Sequence, residues 1–157
     1  MRKLSEPDEH ALRLGRIAGA LHTLEMVVRV FLHKRDKENP TSPFVTAPTV
    51  GEWYPDSYLS DDDSLMPLIK AFNKIVDGTG FQIDERVVSL RDDFAHGRVA
   101  RPSGQKYARL YRFGRKPDER GRVQLLYTCE LTPEWCLEQT EFIEAQSRKV
   151  VEAQGVR

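Results

Sequence analysis

The chain opens with a long stretch in which apolar residues recur every three or four positions. The residues that follow this spacing are Leu14, Ile17, Leu21, Leu24, Val28 and Phe31. No proline interrupts the stretch, so the pattern predicts a long amphipathic helix over about residues 8–34. A second apolar line through Ala20, Val27 and Val30 widens its buried side, and a second copy of the chain is one way to cover it.

The periodicity dissolves after this helix. Four prolines are scattered among serines and threonines between Asp36 and about Ser60. A stretch of this length without a regular pattern is typical of a functional or disordered loop. We therefore interpret residues 36–60 as an insertion loop.

A second helix is predicted after the loop. Three acids, Asp61–Asp63, precede a single-face apolar pattern that runs from Leu65 to Val76 and is followed by Gly78. Acids at the start and a glycine after the end are typical helix boundaries, so we expect a helix of four turns.

A third helix is predicted after Gly80 and is expected to end at Gly97. The residues on one narrow arc of its helical wheel are Ile83, Val87, Leu90 and Phe94. This spacing predicts a helix with one buried face.

The last third of the chain predicts a β-hairpin and a final helix. Residues 107–113 and 123–131 have the composition of two strands separated by a glycine-rich, charged turn. The alternating positions expected on one face of the second strand are Val123, Leu125, Tyr127, Cys129 and Leu131. Thr132 is a typical N-cap and Pro133 fits a first helical position, so a helix is predicted from there toward Val150.

These elements predict a mainly α-helical fold with an added β-hairpin at about residues 107–131 and a C-terminal helix. A length of 157 residues, with 39% hydrophobic and 31% charged residues, fits one domain spanning residues 1–157. The 24 basic and 24 acidic residues leave no net charge that would attract nucleic acid or an anionic membrane to the whole chain. Any electrostatic specialisation must be local.

Cysteine usage and apolar content indicate the setting of the protein. Cys129 and Cys136 form neither a disulfide framework nor a zinc-binding set, which favours a reducing compartment. The N-terminus lacks a signal-like apolar stretch, and residues 26–32 are far shorter than the roughly 20 that span a bilayer. We expect a cytoplasmic protein without a membrane partner, a metal or a cofactor. Three histidines that match no metal-ligand spacing are expected at the surface: His10, His22 and His33.

The third helix carries the residues with the clearest chemistry. Its last part reads Leu-Arg-Asp-Asp-Phe-Ala-His-Gly-Arg, in which Arg91 and His96 form an R-x4-H pair. On an ideal helix Asp92 and His96 are i,i+4 neighbours, whereas Arg91 and His96 are about 140° apart. Arg91 can therefore join His96 only through its long side chain, through a looser helix end at Gly97, or from a second copy of the chain.

A long amphipathic helix, followed later by a helix that carries Arg91 and His96 in this spacing and ends in Ala-His-Gly, resembles the HEPN superfamily of small helical domains. The resemblance covers roughly residues 8–99, and its specific portion is residues 91–97, where Asp92 matches the polar position after the family's arginine. The loop and the hairpin lie outside the minimal pattern.

The resemblance implies an α-helical bundle, commonly a homodimer in which two motifs face each other, acting as a metal-independent endoribonuclease. Many members serve in toxin–antitoxin or antiphage systems, some with a cognate antitoxin or nucleotidyltransferase partner. Others have lost catalysis and only bind.

RNA cleavage without a metal gives each residue of the motif a role. It needs a base for the 2′-hydroxyl proton, an acid for the leaving oxygen and a cation for the charge that develops on phosphorus. We therefore hypothesise that His96 is the acid–base, Arg91 the phosphate and transition-state clamp, and Asp92 the residue that orients the imidazole.

A simpler interpretation stands beside this one. A histidine before glycine is a common helix ending, and Arg91 can pair with Asp92, Asp93 or Glu85. The chain is then a non-catalytic helical module that binds a protein partner or nucleic acid.

A second feature is independent of the motif. Residues 98–116 contain no acid, and their basic side chains are interleaved with aromatic ones. Basic groups neutralise phosphates and aromatic rings stack on unpaired bases, so this segment suits single-stranded RNA, although the aromatic residues can equally be core. The residues predicted to bind RNA are Arg98, Arg101, Lys106, Tyr107, Arg109, Tyr111 and Arg112.

Overall fold

A computed structural model describes residues 5–36, 44 and 48–155 of the protein. The helices in these residues are α1 (Glu6–Arg35), α2 (Leu65–Ile75), α3 (Arg86–His96) and α4 (Pro133–Glu152), and a short 3-10 turn follows α4. The strands are β1 (Arg98–Ala100), β2 (Arg109–Phe113) and β3 (Leu125–Glu130). The predicted mainly α-helical fold with a β-hairpin and a C-terminal helix is therefore confirmed. No described helix has the length and apolar content that crossing a membrane requires.

The chain divides into two compact units. The first comprises Met1–Ala20 and Arg86–Ile143, and the second comprises Leu21–Glu85 and Glu144–Arg157. The first unit therefore contains α3, the whole sheet and every residue that the sequence singles out for chemistry. The single domain expected over residues 1–157 stays a prediction.

The sheet of the first unit is antiparallel, with the order β1-β2-β3. Leu110 of β2 lies opposite both Val99 of β1 and Cys129 of β3. The predicted hairpin is confirmed as β2 and β3, although both strands are shorter than expected. Strand β1 was not predicted, because three residues are too few to show the alternation that marks a strand.

Burial along β3 increases toward its end. Leu125 is 44% exposed, whereas Leu131, just after the strand, is 1% exposed. The pairing of β2 with β3 is irregular between Arg112 and Phe113. Helix α3 packs against β2, so the start of β3 stays open to solvent.

Helix α3 is fixed by its apolar face. Val87 and Leu90 are buried, and the ring of Phe94 stacks on Trp135 of α4 at a centroid distance of 6.2 Å. A Cβ atom at Gly97 would collide with the backbone oxygen of Asp93 and would lie 2.5 Å from the Leu110 side chain. Glycine is therefore required where the end of α3 meets β2.

The start of α4 agrees with its prediction. The Trp135 backbone N–H donates to Thr132 Oγ1 at 3.1 Å, and Pro133 is the first helical residue. Thr132 therefore caps the helix as the sequence indicates.

The second unit contains a buried aromatic pair, and two helix boundaries predicted in this part of the chain are wrong. Phe31 and Phe72 meet edge to face with centroids 4.7 Å apart. Helix α2 has 11 residues, about three turns rather than the four expected. The Asn73 side chain bonds both the backbone N–H of Ile83 (2.7 Å) and its carbonyl oxygen (2.9 Å). Because these bonds replace helical ones, Ile83 lies before α3 instead of inside it.

Arg29 anchors the described end of the predicted insertion loop. Its buried guanidinium donates to the carbonyl oxygens of Tyr58 (2.9 Å) and Asp63 (2.7 Å) and pairs with Asp61. Residues 48–60 form turns without helix or strand, while residues 37–43 and 45–47 of the predicted loop lie outside the described residues.

The three lone histidines do not all lie at the surface. His22 is exposed as expected, but His33 is buried, with 6% of its surface exposed. The expectation for His33 is therefore wrong.

Candidate functional site

His96 is the last residue of α3 and is exposed to solvent. Its imidazole forms no hydrogen bond with any residue that the structure describes, and it lines an open cleft of about 950 Å³, here called the His96 cleft. The position therefore leaves the ring free to exchange protons with a ligand.

Three arginines surround His96 in this cleft: Arg98, Arg112 and Arg115. Arg98 extends over the Phe113 ring, with 5.7 Å between the guanidinium carbon and the ring centroid. No carboxylate is among the described residues that line the cleft. The cleft thus combines an unpaired imidazole with three cations, an arrangement that suits a phosphate group.

Asp93 positions Arg112. The guanidinium of Arg112 donates to the Asp93 carboxylate at 2.7 Å, and only 12% of the Asp93 side chain is exposed. This pair connects β2 to α3 beside His96. Asp93 was considered only as a possible partner of Arg91, and its spacing from Leu90, which places it near the apolar side of α3, is the signal that could have indicated a partner outside the helix.

Tyr127 and Cys129 lie on the same side of the sheet as Arg112, since the three alternate in register across β2 and β3. Burial raises the pKa of the Tyr127 phenol, and its hydrogen bond with Cys129 and the nearby Asp93 charge act in the same direction. Burial likewise raises the pKa of the Cys129 thiol. Both side chains are therefore neutral near pH 7.

Arg91 and Asp92 form an ion pair with each other. Arg91 donates to the Asp92 carboxylate at 3.2 Å, with side chains 39% and 35% exposed. The i,i+4 contact expected between Asp92 and His96 is not formed, because the carboxylate faces Arg91 instead. Arg91 is also not among the described residues that line the His96 cleft. Within one chain, therefore, the structure does not bring the R-x4-H pair together.

The residues predicted to bind RNA occupy three places. Arg98 and Arg112 line the His96 cleft. Arg109 and Tyr111 alternate with Leu110 and Arg112 along β2, so they belong to the opposite face of the sheet. The remaining three, Arg101, Lys106 and Tyr107, line a separate groove together with His10, here called the His10 groove.

Metal ligands do not cluster in the parts of the chain that the structure describes. No group of three or more His, Cys, Asp or Glu side chains is placed there to hold a metal ion. Cys129 and Cys136 are both free thiols.

No family model matches the chain, and the comparisons with curated proteins and with solved structures give no match either. The resemblance to HEPN proteins therefore depends on the residues of α1 and α3 alone.

Proposed function

We propose that the protein acts on RNA as a HEPN-like endoribonuclease that needs no metal, with His96 as its proton-transfer group. The observation that carries this proposal is the exposed, unpaired imidazole of His96 in a cleft with three arginines. Imidazole exchanges protons near neutral pH, and guanidinium groups bind phosphate oxygens in a fixed geometry.

The cleft supplies two of the functions that cleavage requires. His96 takes the proton of the 2′-hydroxyl or returns one to the leaving 5′-oxygen, while the arginines stabilise the extra negative charge on phosphorus. Arg98, Arg112 and Arg115 support the second function because they line the cleft, whereas Arg91 does not. The clamp role predicted for Arg91 needs a different conformation or a second copy of the chain, and the orienting role of Asp92 needs its release from Arg91.

A homodimer is part of the proposal. One imidazole cannot serve as base and acid in the same step, and His96 is the one histidine among the described residues of the cleft. The sheet and the β2–β3 connection also expose several large apolar residues. Phe113, Val123 and Leu126 line the cleft, and the others are Val99, Leu125 and Tyr127. An apolar edge strand favours contact with another chain. Sedimentation analysis, expected to give twice the 18.1 kDa chain mass, tests this part.

The central experiment compares three purified proteins on labelled total RNA in EDTA: wild type, His96→Ala and His22→Ala. His22 is an exposed histidine outside the first unit and so provides the matched control. We expect wild type and His22→Ala to leave cyclic phosphate ends, and His96→Ala to cleave at least about 100-fold more slowly. Equal cleavage by His96→Ala contradicts the assignment.

A specific observation also favours a second candidate function. In a non-catalytic module Arg91 and Asp92 are expected to pair with each other, as they do here. His96 then serves only as the end of helix α3. Such a module binds RNA or a protein partner without cleaving RNA. Binding without cleavage in the same assay, equal for wild type and His96→Ala, supports this candidate.

The biological setting follows from the resemblance alone. We propose a role in toxin–antitoxin or antiphage defence, with a cognate antitoxin or nucleotidyltransferase as partner, in the cytoplasm. Expression of wild type and of His96→Ala in a bacterial host tests it, and only wild type is expected to arrest growth.

A further inference from the structure

The His10 groove has an apolar interior of limited size. Its volume of about 240 Å³ is below the roughly 300–1,000 Å³ of pockets that hold drug-sized ligands, so it suits a single planar ring. Pro7, Ala108 and the fully buried Leu131 form its apolar lining together with Tyr107. An aromatic side chain of this kind is a surface on which a base can stack.

The opening of the groove carries positive charge. Arg101 and Arg13 each have a carboxylate partner, Glu6 at 3.5 Å and Glu9 at 3.2 Å. Lys106 has no carboxylate partner among the described residues, and its Nζ lies 4.9 Å from the centroid of the Tyr107 ring. A hydrogen bond with Tyr107 raises the pKa of Lys106, so this group is a cation at neutral pH. An anionic group attached to a ring in the groove would therefore lie close to the Lys106 ammonium.

The groove is open on one side. A shallow depression of about 590 Å³ lies over the turn of residues 101–106 and shares Glu6, Arg101 and Lys106 with the groove. Gly104 in this turn has a φ of +77°, which is strained for other residues. A ring in the groove can therefore belong to a longer molecule whose backbone continues over the turn.

His10 leaves a polar atom for a ligand. It lines the groove, and its Nε2 is buried without a hydrogen-bond partner among the residues that the structure describes. A buried polar atom without a partner is unfavourable, and a ligand in the groove can bond Nε2 once the imidazole turns this atom toward it. The edge of a nucleobase offers both donors and acceptors.

The groove and the His96 cleft are connected by an exposed strand. β1 forms one edge of the sheet, and its three residues are exposed. Arg98 at its start lines the cleft, and Arg101, just after its end, lines the groove. Three extended residues span about 10 Å, which corresponds to about three stacked nucleotides at about 3.4 Å each.

We propose that the His10 groove binds one nucleotide of the RNA strand whose scissile phosphate lies in the His96 cleft. The base stacks on Tyr107 and reaches His10, and its phosphate lies against Arg101 and Lys106. This inference rests on the proposed action on RNA and adds a specificity subsite about three nucleotides from the cleavage position.

Binding of short RNA tests the subsite directly. The probes are a labelled RNA hexanucleotide, a dinucleotide of the same sequence, and the four nucleoside 5′-monophosphates, all in the His96→Ala background to prevent cleavage. The groove variants are Tyr107→Leu and Lys106→Ala, and their matched controls are Trp53→Leu and Lys70→Ala, which change exposed residues of the second unit. Lys106 is exposed, so its variant keeps the test valid even where Tyr107→Leu unfolds.

We expect the hexanucleotide to bind more tightly than the dinucleotide. Tyr107→Leu should remove about tenfold of that gain, and Lys106→Ala should lower the salt dependence of binding by about 0.7 in the log–log slope. The controls should change neither.

Each other outcome has one meaning. An unchanged gain in both groove variants, while wild type still cleaves RNA, overturns the subsite and leaves the proposed function standing. Monophosphates that bind as tightly as the hexanucleotide overturn the strand proposal in favour of a free nucleotide. The expected dependence on Tyr107 and Lys106 without cleavage by wild type supports the subsite and contradicts the nuclease. Absence of all RNA binding overturns both.

Discussion

The two sides of α3 carry the same pair of residue types in different surroundings. On the open side Arg91 meets its own sequence neighbour Asp92 at 3.2 Å, and both side chains are more than one-third exposed. On the side facing the sheet Asp93 meets Arg112, 19 residues away, at 2.7 Å in a largely buried position. The first pair belongs to the recognisable motif, whereas the second joins two elements and shapes the cleft.

The difference shows that the arginine of a sequence motif need not be the arginine that lines the nearby cleft. Arg91 belongs to the motif, whereas Arg112 lines the cleft. Exposed pairs contribute little, since water and salt screen them, while a buried carboxylate depends strongly on its partner. His96 lies at the junction of α3 and the sheet, and the buried pair holds Arg112 at the cleft that this histidine lines. Removing each pair in turn therefore tests the comparison.

The largest effect is expected for Asp93→Ala. This change leaves Arg112 without its carboxylate and should lower the free energy of unfolding by about 3 kcal/mol, the low end for buried pairs, because Arg112 is partly exposed. Urea unfolding measures it, with Asp92→Ala as the matched control. Equal stability of the two variants contradicts the comparison.

A smaller effect is expected for Gly97→Ala. The added methyl group collides with the backbone oxygen of Asp93 and with the Leu110 side chain, so the end of α3 must distort and Leu110 of β2 must shift, at a cost of about 2 kcal/mol. Gly15→Ala is the control, because nothing surrounds that position on α1 and the change should stabilise the protein by about 0.5–1 kcal/mol. If both changes stabilise the protein, the close approach of β2 is not required.

The smallest effect is expected for Arg91→Ala. Its ion pair is exposed, so thermal or urea unfolding should change by less than about 0.5 kcal/mol. A loss of more than about 1 kcal/mol would show that Arg91 holds the fold, and the contrast between the two pairs would then be wrong.

Much of the fold follows from local patterns. α1 and α4 were predicted because a long apolar face in one case and the Thr132–Pro133 start in the other are properties of the sequence itself. The start of α3 was misplaced because Ile83 continues the apolar spacing, while the bonds from Asn73 that keep it out of the helix connect residues ten positions apart. β1 exists because β2 pairs with it, which no three-residue pattern reveals.

The candidate site was predictable in part for the same reason. His96 and the basic segment are visible in the sequence, and the structure places Arg98 and Arg112 beside that histidine. The ion pair between Arg112 and Asp93 was not predictable, because it depends on the register of β2 and on the close contact between α3 and β2 at Gly97. The Asp92–His96 contact was expected from helix geometry, but helix geometry does not show that Arg91 competes for the same carboxylate.

The most direct test of the account is the salt dependence of RNA binding, measured with a labelled oligonucleotide in the His96→Ala background. The account predicts that the Arg98→Ala/Arg115→Ala double variant lowers the log–log slope by about 1.4, because two phosphate contacts of about 0.7 each are lost. Arg91→Ala should leave the slope unchanged. A lower slope for Arg91→Ala together with an unchanged slope for the double variant would contradict the assignment of phosphate binding to the His96 cleft.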